Sequence, residues 1–270
     1  MTAPLPSGLD PIDPVALGHV AGLGQVAVLA EVESTMDRAR ELAADPSTAT
    51  PALVVADRQT AGRGRRGAGW WQPPGSLVAS LVLDHQPAHA GLNPWWALAC
   101  GIALAESIAE LAAGVRTSLK WPNDVEVAGR KLAGILVETA PAGRVVIGLG
   151  VNSAGTAAAA PAPLQDRLVT IPDLTGRPLS RQALLAAFIP RLTTLVQAIA
   201  AEPAELGRRY RPLCCLAGTH VRVFTGAQEH TGLCRGIAAD GGLVVETAAG
   251  PTIVHAGSLA APGSEWTAGG

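Results

Sequence analysis

Between Gln59 and Gly67 the chain reads Gln-Thr-Ala-Gly-Arg-Gly-Arg-Arg-Gly, three arginines and three glycines with no acid among them. Arginine presents a planar fork of N–H donors suited to phosphate or carboxylate, and glycine lets the backbone come close to a ligand. The apolar run Leu53-Val54-Val55-Ala56 directly before it reads as a buried strand. Set at the end of a strand, this is an anion-binding loop. Gly62-x-Gly64-x-x-Gly67 also satisfies a dinucleotide fingerprint, but there the third glycine must open a helix. Here Gly67 is followed by Ala-Gly-Trp-Trp-Gln-Pro-Pro-Gly and then a strand from Ser76 to Leu83, so a nicotinamide or flavin site is excluded.

Of the 20 basic residues only Lys120 and Lys131 are lysines. A chain that uses arginine almost everywhere should keep a compact, titratable ammonium where function needs one. Both lysines fall in one short segment, Lys120-Trp-Pro-Asn-Asp124 followed by Gly129-Arg-Lys-Leu-Ala-Gly-Ile-Leu136.

A chain of 270 residues with 48% apolar and 16% charged residues has the make-up of a soluble globular protein, one main domain and a smaller one. The net charge of -2 argues against broad attraction to nucleic acid or membrane surfaces, so any anion site is local. Cys100, Cys214, Cys215 and Cys234 lack zinc spacing and read as reduced, buried thiols of a cytoplasmic protein. His85 and His89 have Pro87 between them, which breaks the helix that would align them, and read as loop residues. No uninterrupted apolar run reaches about 18 residues and no charged-then-apolar leader opens the chain, so neither membrane insertion nor export is expected.

These residues must be positioned by the elements around them. Residues 1–24, rich in Pro and Gly, are expected to hold little regular structure. A strand from Gln25 to Val32 leads through Glu33-Ser34-Thr35 to a helix with Met36, Ala39, Leu42 and Ala43 on one face, Ser34 or Thr35 serving as N-cap. A hydroxyl pair there is also placed to meet a ligand's polar group. Asn93-Pro94 starts a long helix through Leu111. Val125–Ala128, Lys131–Thr139 and Arg144–Asn152 read as three strands of an antiparallel meander. Residues 153–164, nearly all Ala, Gly and Pro, are expected to be a mobile loop. Ser180 caps a helix to about Ala201, and Pro203 begins a short one to Tyr210. From Leu213 onward, short strands between glycine turns predict a small β-barrel.

Together the arginine-glycine loop and the Lys120–Asp124 and Gly129–Leu136 segments resemble the biotin-protein ligases. Glu33-Ser34-Thr35, the Ile147–Asn152 strand and the terminal strands extend the likeness over nearly the whole chain. The resemblance implies an α/β (α+β) fold: a class II aminoacyl-tRNA synthetase-like catalytic domain over residues 1–212 and an SH3-like β-barrel over 213–270. It implies activation of biotin with MgATP to biotinyl-adenylate and transfer to a lysine of a biotin carboxyl carrier domain. By position, Ser34, Thr35, Gln59, Gly62, Arg63, Gly64, Arg65, Arg66 and Lys131 match biotin or adenylate contacts. Gly134, Leu136, Gly148 and Asn152 fall along the biotin site, Trp70 near the adenylate, and Asn123 beside the nucleotide. Asp124 is the metal candidate for Mg²⁺. Lys131, Arg63 and Arg65 are the catalytic candidates.

Two departures stand out. Many members carry Asn after Ser-Thr where this chain has Met36, which removes one hydrogen bond to the ureido ring. Bifunctional members place a winged helix-turn-helix before that segment, and the residues ahead of Ser34 do not fit one. The expectation is a ligase without specific DNA binding, monomer or weak homodimer. A lipoate or octanoate transferase on the same fold should lack the loop and the Lys-Trp-Pro-Asn-Asp segment. An RNA-binding patch should show interleaved aromatics, yet these make up only 3% of residues.

Overall fold

The computed structural model describes residues 10–85 and 92–260. The first helix, α1 (Pro14–Ala21), lies in the stretch expected to be irregular. Asp13 accepts from the amides of Val15 and Ala16, Pro14 occupies the first turn, and Gly22 closes the helix at φ 63°. The proline and glycine that suggested disorder are the start and stop of a helix. Residues 1–9 and His89 lie outside the described residues.

The chain continues as β1 (Gln25–Val32), α2 (Thr35–Ala44), β2 (Ala52–Gln59), β3 (Leu77–Asp84) and α3 (Trp95–Leu111). Then come β4 (Ser118–Lys120), β5 (Asp124–Val127), β6 (Arg130–Ala140) and β7 (Arg144–Val151). These strands form one seven-stranded sheet in the order β1-β2-β3-β7-β6-β5-β4. Only β1 and β2 run parallel, joined through α2; the meander β5-β6-β7 is antiparallel as expected.

Period-two alternation divides the sheet's apolar residues between two cores. Leu53, Val55, Ile135, Val145 and Ile147 face the core that holds α3 and α6 (Arg181–Ala201). Ala52, Val54, Val82 and Val146 face α2 through Met36, Ala39, Leu42 and Ala43. Arg144 fixes the end of α2 by donating to the carbonyls of Asp45 at 2.7 Å and Thr48 at 3.0 Å. By length and apolar content α6 is the one helix among the described residues that could cross a membrane. Its Leu184, Leu185, Phe188, Ile189, Leu192 and Leu195 are instead buried in the core.

Residues 153–164, expected to be mobile, are built into short helical turns including α4 (Ala162–Gln165). Asp173 of α5 (Ile171–Thr175) accepts from the Ala157 amide at 3.0 Å and the Thr156 hydroxyl at 2.8 Å. After α7 (Pro203–Tyr210) come β8 (His220–Thr225), β9 (Gln228–Ile237), β10 (Leu243–Thr247), β11 (Gly250–Val254) and β12 (Ser258–Leu259). They form a separate five-stranded antiparallel sheet in the order β11-β10-β9-β8-β12. The four cysteines are free thiols. Burial pushes Cys100 well up and Cys215 to about 11.

Candidate active site

The N-terminus of α2, the end of β2, the arginine loop and the middle of β6 and β7 surround a cavity of about 200 Å³. It lies on the α2 face of the sheet, beyond the helix end, and its floor is bare backbone. Along β7, Val146 packs on α2, but Gly148 and Gly150 follow on the same face. Gly134 pairs with Gly150 and Leu136 with Gly148 across the ladder. A Cβ on Gly148 would come within 2.7 Å of the Met36 sulfur, and one on Gly150 within 2.5 Å of the Trp70 ring. Glycine at these positions is what gives the Met36 and Trp70 side chains room to lie against the sheet as cavity walls.

Lys131 reaches this face through an irregularity in β6. Ala133 and Ile135 point into the α3 core, and stepping by twos would send Lys131 there too. The register with β5 slips instead: Val125 opposes Ala133 while Glu126 opposes Lys131. Leu132 is the extra residue, fully buried in the core, and Lys131 turns toward the cavity. Its ammonium pairs with Asp124 at 2.6 Å and lies 5.7 Å from the centre of the Trp70 ring. Lys120, the other lysine, pairs at 3.0 Å with the buried Glu126 and does not line the cavity.

One end of the cavity is built for hydrogen bonding. The Gln59 side-chain oxygen Oε1 accepts from the Thr35 backbone amide at 2.8 Å and the Thr35 hydroxyl at 3.0 Å. Ser80 donates to the Thr35 hydroxyl at 2.8 Å, and Gln72 accepts from the Gln59 amide at 2.9 Å. Ser34 stands at the N-cap of α2, but its side chain makes no capping bond. Its hydroxyl is buried and bonds to no protein group, although it stands behind the cavity wall rather than on it. The Trp70 indole N–H is likewise buried without an acceptor. Buried polar groups normally find partners, and of these two only Trp70 lines the cavity, where a ligand would be placed to complete the bonding.

The other end is cationic: Arg63, Arg65 and Lys131 line it against the single carboxylate of Asp124. The arginine loop is a small hairpin, with the Gly64 amide bonding the Ala68 carbonyl and the Trp70 amide the Gly62 carbonyl. At its tip Arg66 (φ 57°) and Gly67 (φ 74°) take left-handed conformations, and no helix follows. Arg63 pairs with Asp37 of α2. Arg65 donates to the Asn123 side-chain oxygen at 3.1 Å and to the Gly257 carbonyl at 2.7 Å. Burial and then the charge of Arg66 hold its pKa below the ordinary value, with Asp124 acting the other way.

Of the residues singled out in the sequence, Thr35, Gln59, Arg63, Gly64, Arg65, Trp70, Asn123, Asp124, Lys131, Gly134, Leu136 and Gly148 line one cavity. Four do not. Besides Ser34, Gly62 lies beneath Gln59, where a Cβ would meet the amide nitrogen at 2.8 Å. Arg66 turns outward to the Ser258 hydroxyl at 2.8 Å. Asn152 is a clamp, donating to the carbonyls of Lys131 at 3.3 Å and Val169 at 3.1 Å. Met36 and Gly150 line the cavity although neither was among the candidate binding residues, while Ser80 and Gln72 hold its lining groups from behind. A serine in the middle of the apolar run Leu77–Leu83 was the signal the sequence offered for Ser80, which the structure buries.

Residues 28–152 match the model of the Biotin/lipoate A/B protein ligase family. The biotin-[acetyl-CoA-carboxylase] ligase of Mycobacterium tuberculosis is 32% identical over 248 residues, 90% of this chain and 91% of that protein. The bifunctional ligase/repressor BirA of Escherichia coli is 35% identical over 243 residues, 85% of this chain and 71% of BirA. Among solved structures, the biotin protein ligase from Aquifex aeolicus in complex with biotin and ATP superposes with a TM-score of 0.77 at 27% identity. The superposition covers 88% of this chain and 98% of that one. The seven-stranded sheet with its helices is the class II synthetase-like arrangement, and the five-stranded sheet is the SH3-like one. With a cavity of this make-up and a relative matched over 90% of its length, this chain belongs to the biotin-protein ligases and is an enzyme of that family.

Proposed function

We propose that this enzyme joins biotin to ATP as biotinyl-5'-adenylate and then transfers the biotinyl group to a lysine of a biotin carboxyl carrier domain. The observation that carries the reading is one glycine-floored cavity with a hydrogen-bonding end at Thr35 and Gln59 and a cationic end at Lys131, Arg63 and Arg65. The apolar middle, Met36 and Leu136, suits a hydrocarbon body between a ureido head and a carboxylate.

In the first step a carboxylate oxygen attacks the α-phosphorus, the bond to the β-phosphate breaks and pyrophosphate leaves. Two anions must meet, so the site must supply fixed positive charge where they do. The bulge and Asp124, which orient Lys131 toward the cavity, support that role for it. Arg65, held by two uncharged oxygens, keeps its charge for the phosphate of the adenylate. In the second step a neutral lysine amine attacks the acyl carbon and AMP departs.

Among the described residues Asp124 is the only carboxylate on the cavity wall, and Asn123 is occupied at both ends, by Arg65 and by the Ile135 carbonyl. This donor set fits a Mg²⁺ held by one carboxylate oxygen with phosphate oxygens and water completing its shell. Such an ion would neutralise triphosphate charge. The division of labour is residues 1–212 for chemistry and 213–270 for the SH3-like part, in a cytoplasmic monomer or weak homodimer. No DNA recognition is part of the proposal, and a gel shift on biotin-related promoters tests that.

The deciding experiment incubates the protein with labelled biotin, ATP and a carrier domain with and without its acceptor lysine. ATP-dependent label on the lysine-bearing domain alone is expected. Transfer of octanoate or lipoate in preference to biotin would replace the reading with the other branch of the family.

A further inference from the structure

The tip of the arginine loop ends on the five-stranded sheet. Arg65 donates to the carbonyl of Gly257, and Arg66 to the hydroxyl of Ser258, partners 192 positions away in the chain. Neither acceptor is a carboxylate, so the guanidiniums are aimed without being neutralised. Burial and then repulsion from Arg66 lower the pKa of Arg65, and beyond the Gly64–Ala68 bond the tip carries two successive left-handed residues.

The acceptors themselves are rigidly placed. Ser258 pairs with Phe224 in the β8–β12 ladder. At Gly257 a Cβ would stand 2.8 Å from the Phe224 carbonyl oxygen and 3.0 Å from the Val223 side chain. Only glycine lets the chain lie this close to β8, and that closeness brings its carbonyl to Arg65. His255 and Ala256, just before, border with Arg65 and Asn123 a cleft of about 310 Å³ beside the cavity.

We propose that Gly257 and Ser258 are positioning residues for the arginine loop, so that the small sheet holds the loop closed over the activated intermediate. The inference rests on the adenylate reading of the cavity. It makes the second sheet a working part of the site.

Ser258→Ala removes one partner at a surface position, and Gly257→Ala forces the strand off β8. Two readouts apply. Trypsin cleavage after Arg65 or Arg66, read by mass spectrometry without any substrate, should speed up roughly three- to tenfold in both variants, the range expected for losing one solvent-exposed hydrogen bond to a neutral acceptor. With biotin and ATP, labelling of a bystander protein such as serum albumin should rise by a similar factor while the KM for biotin stays near wild type. Ser258→Thr, which keeps the hydroxyl, should restore both. Arg66→Ala removes one trypsin site, so only cleavage after Arg65 is compared; adding it to Ser258→Ala should change that cleavage little further, because the two side chains form one bond.

If Gly257→Ala does not fold, Ser258→Ala decides alone. Wild-type cleavage and wild-type retention in Ser258→Ala would overturn the inference while leaving the ligase reading intact. Faster cleavage at every arginine together with a lowered Tm would show a general loss of stability and would overturn it as well. A wild type with no biotin-dependent pyrophosphate exchange would overturn the adenylate reading and the retention role together.

Discussion

Gly134 and Gly150 face each other across β6 and β7, and the indole of Trp70 lies over both: a Cβ would come within 3.1 Å of the ring from one and 2.5 Å from the other. A ladder position without side chains on either strand is weak as sheet, since nothing packs across it. Here it makes the cavity floor. Gly150→Val should push Trp70 off the floor and raise the KM for biotin about tenfold or more. The fold, held by α2, α3 and α6, should remain. Tryptophan fluorescence and steady-state kinetics on the folded variant check this; an unchanged KM would place the biotin elsewhere.

Lys131 owes its direction to the bulge at Leu132 and its fixity to Asp124. Replacing it by arginine puts a broad planar group where a compact ammonium stands, beside Trp70 and the backbone of Gly134. Both Lys131→Arg and Lys131→Ala should lower biotin-dependent pyrophosphate exchange on the order of a hundredfold, the scale seen when one charge-stabilising donor is lost. Near-normal exchange by either variant would remove Lys131 from the chemistry.

Arg65→Gly should uncouple retention from synthesis. A charge-assisted hydrogen bond to the adenylate phosphate is worth about 1.5 to 3 kcal/mol, which is roughly a ten- to hundredfold weaker hold when it is lost. On the proposed mechanism activation is shared with Lys131 and Arg63, so it should fall less. The variant should therefore label serum albumin with biotin, as read on a streptavidin blot. Continued ATP turnover with no more albumin labelling than wild type would assign retention to another residue.

Asp173 ties the Ala-rich segment to α5. Burial by itself would raise its carboxyl, but bonds from Ala157, Thr156 and Thr170 outweigh burial and hold the pKa below the ordinary 3.8. A depressed folded-state pKa means the stabilisation is fully present above the ordinary value and is lost as pH falls through the lowered one. Asp173→Asn should thus lower the Tm at neutral pH, and the gap to wild type should close as pH drops below the ordinary carboxylate range. A gap that stays constant down to acid pH would mean the charge is not what holds this loop.

Much of this was legible in the sequence because it depends on neighbours along the chain. The strand before Gln59, the helix after Ser34 and the β5-β6-β7 meander follow from local period and turn chemistry. The arginine loop and the lysine segment follow from residue type and spacing. The Asp13-Pro14 and Gly22 signals were also there, but composition outweighed position in reading them. What the sequence could not decide is direction. Whether Lys131 faces core or cavity turns on a one-residue slip against β5, a choice between two registers that only the packing of Leu132 settles. Arg65 and Arg66 look equivalent in the motif, yet one turns inward and the other outward because the acceptors that separate them come from a strand at the far end of the chain. Asn152 and Ser34 depart from their expected roles for the same reason. An amide at a strand end clamps whatever backbone lies beside it, and a hydroxyl at a helix start caps only if its rotamer points back. Spacing fixed which groups are near in the chain, and long-range packing fixed where each of them points.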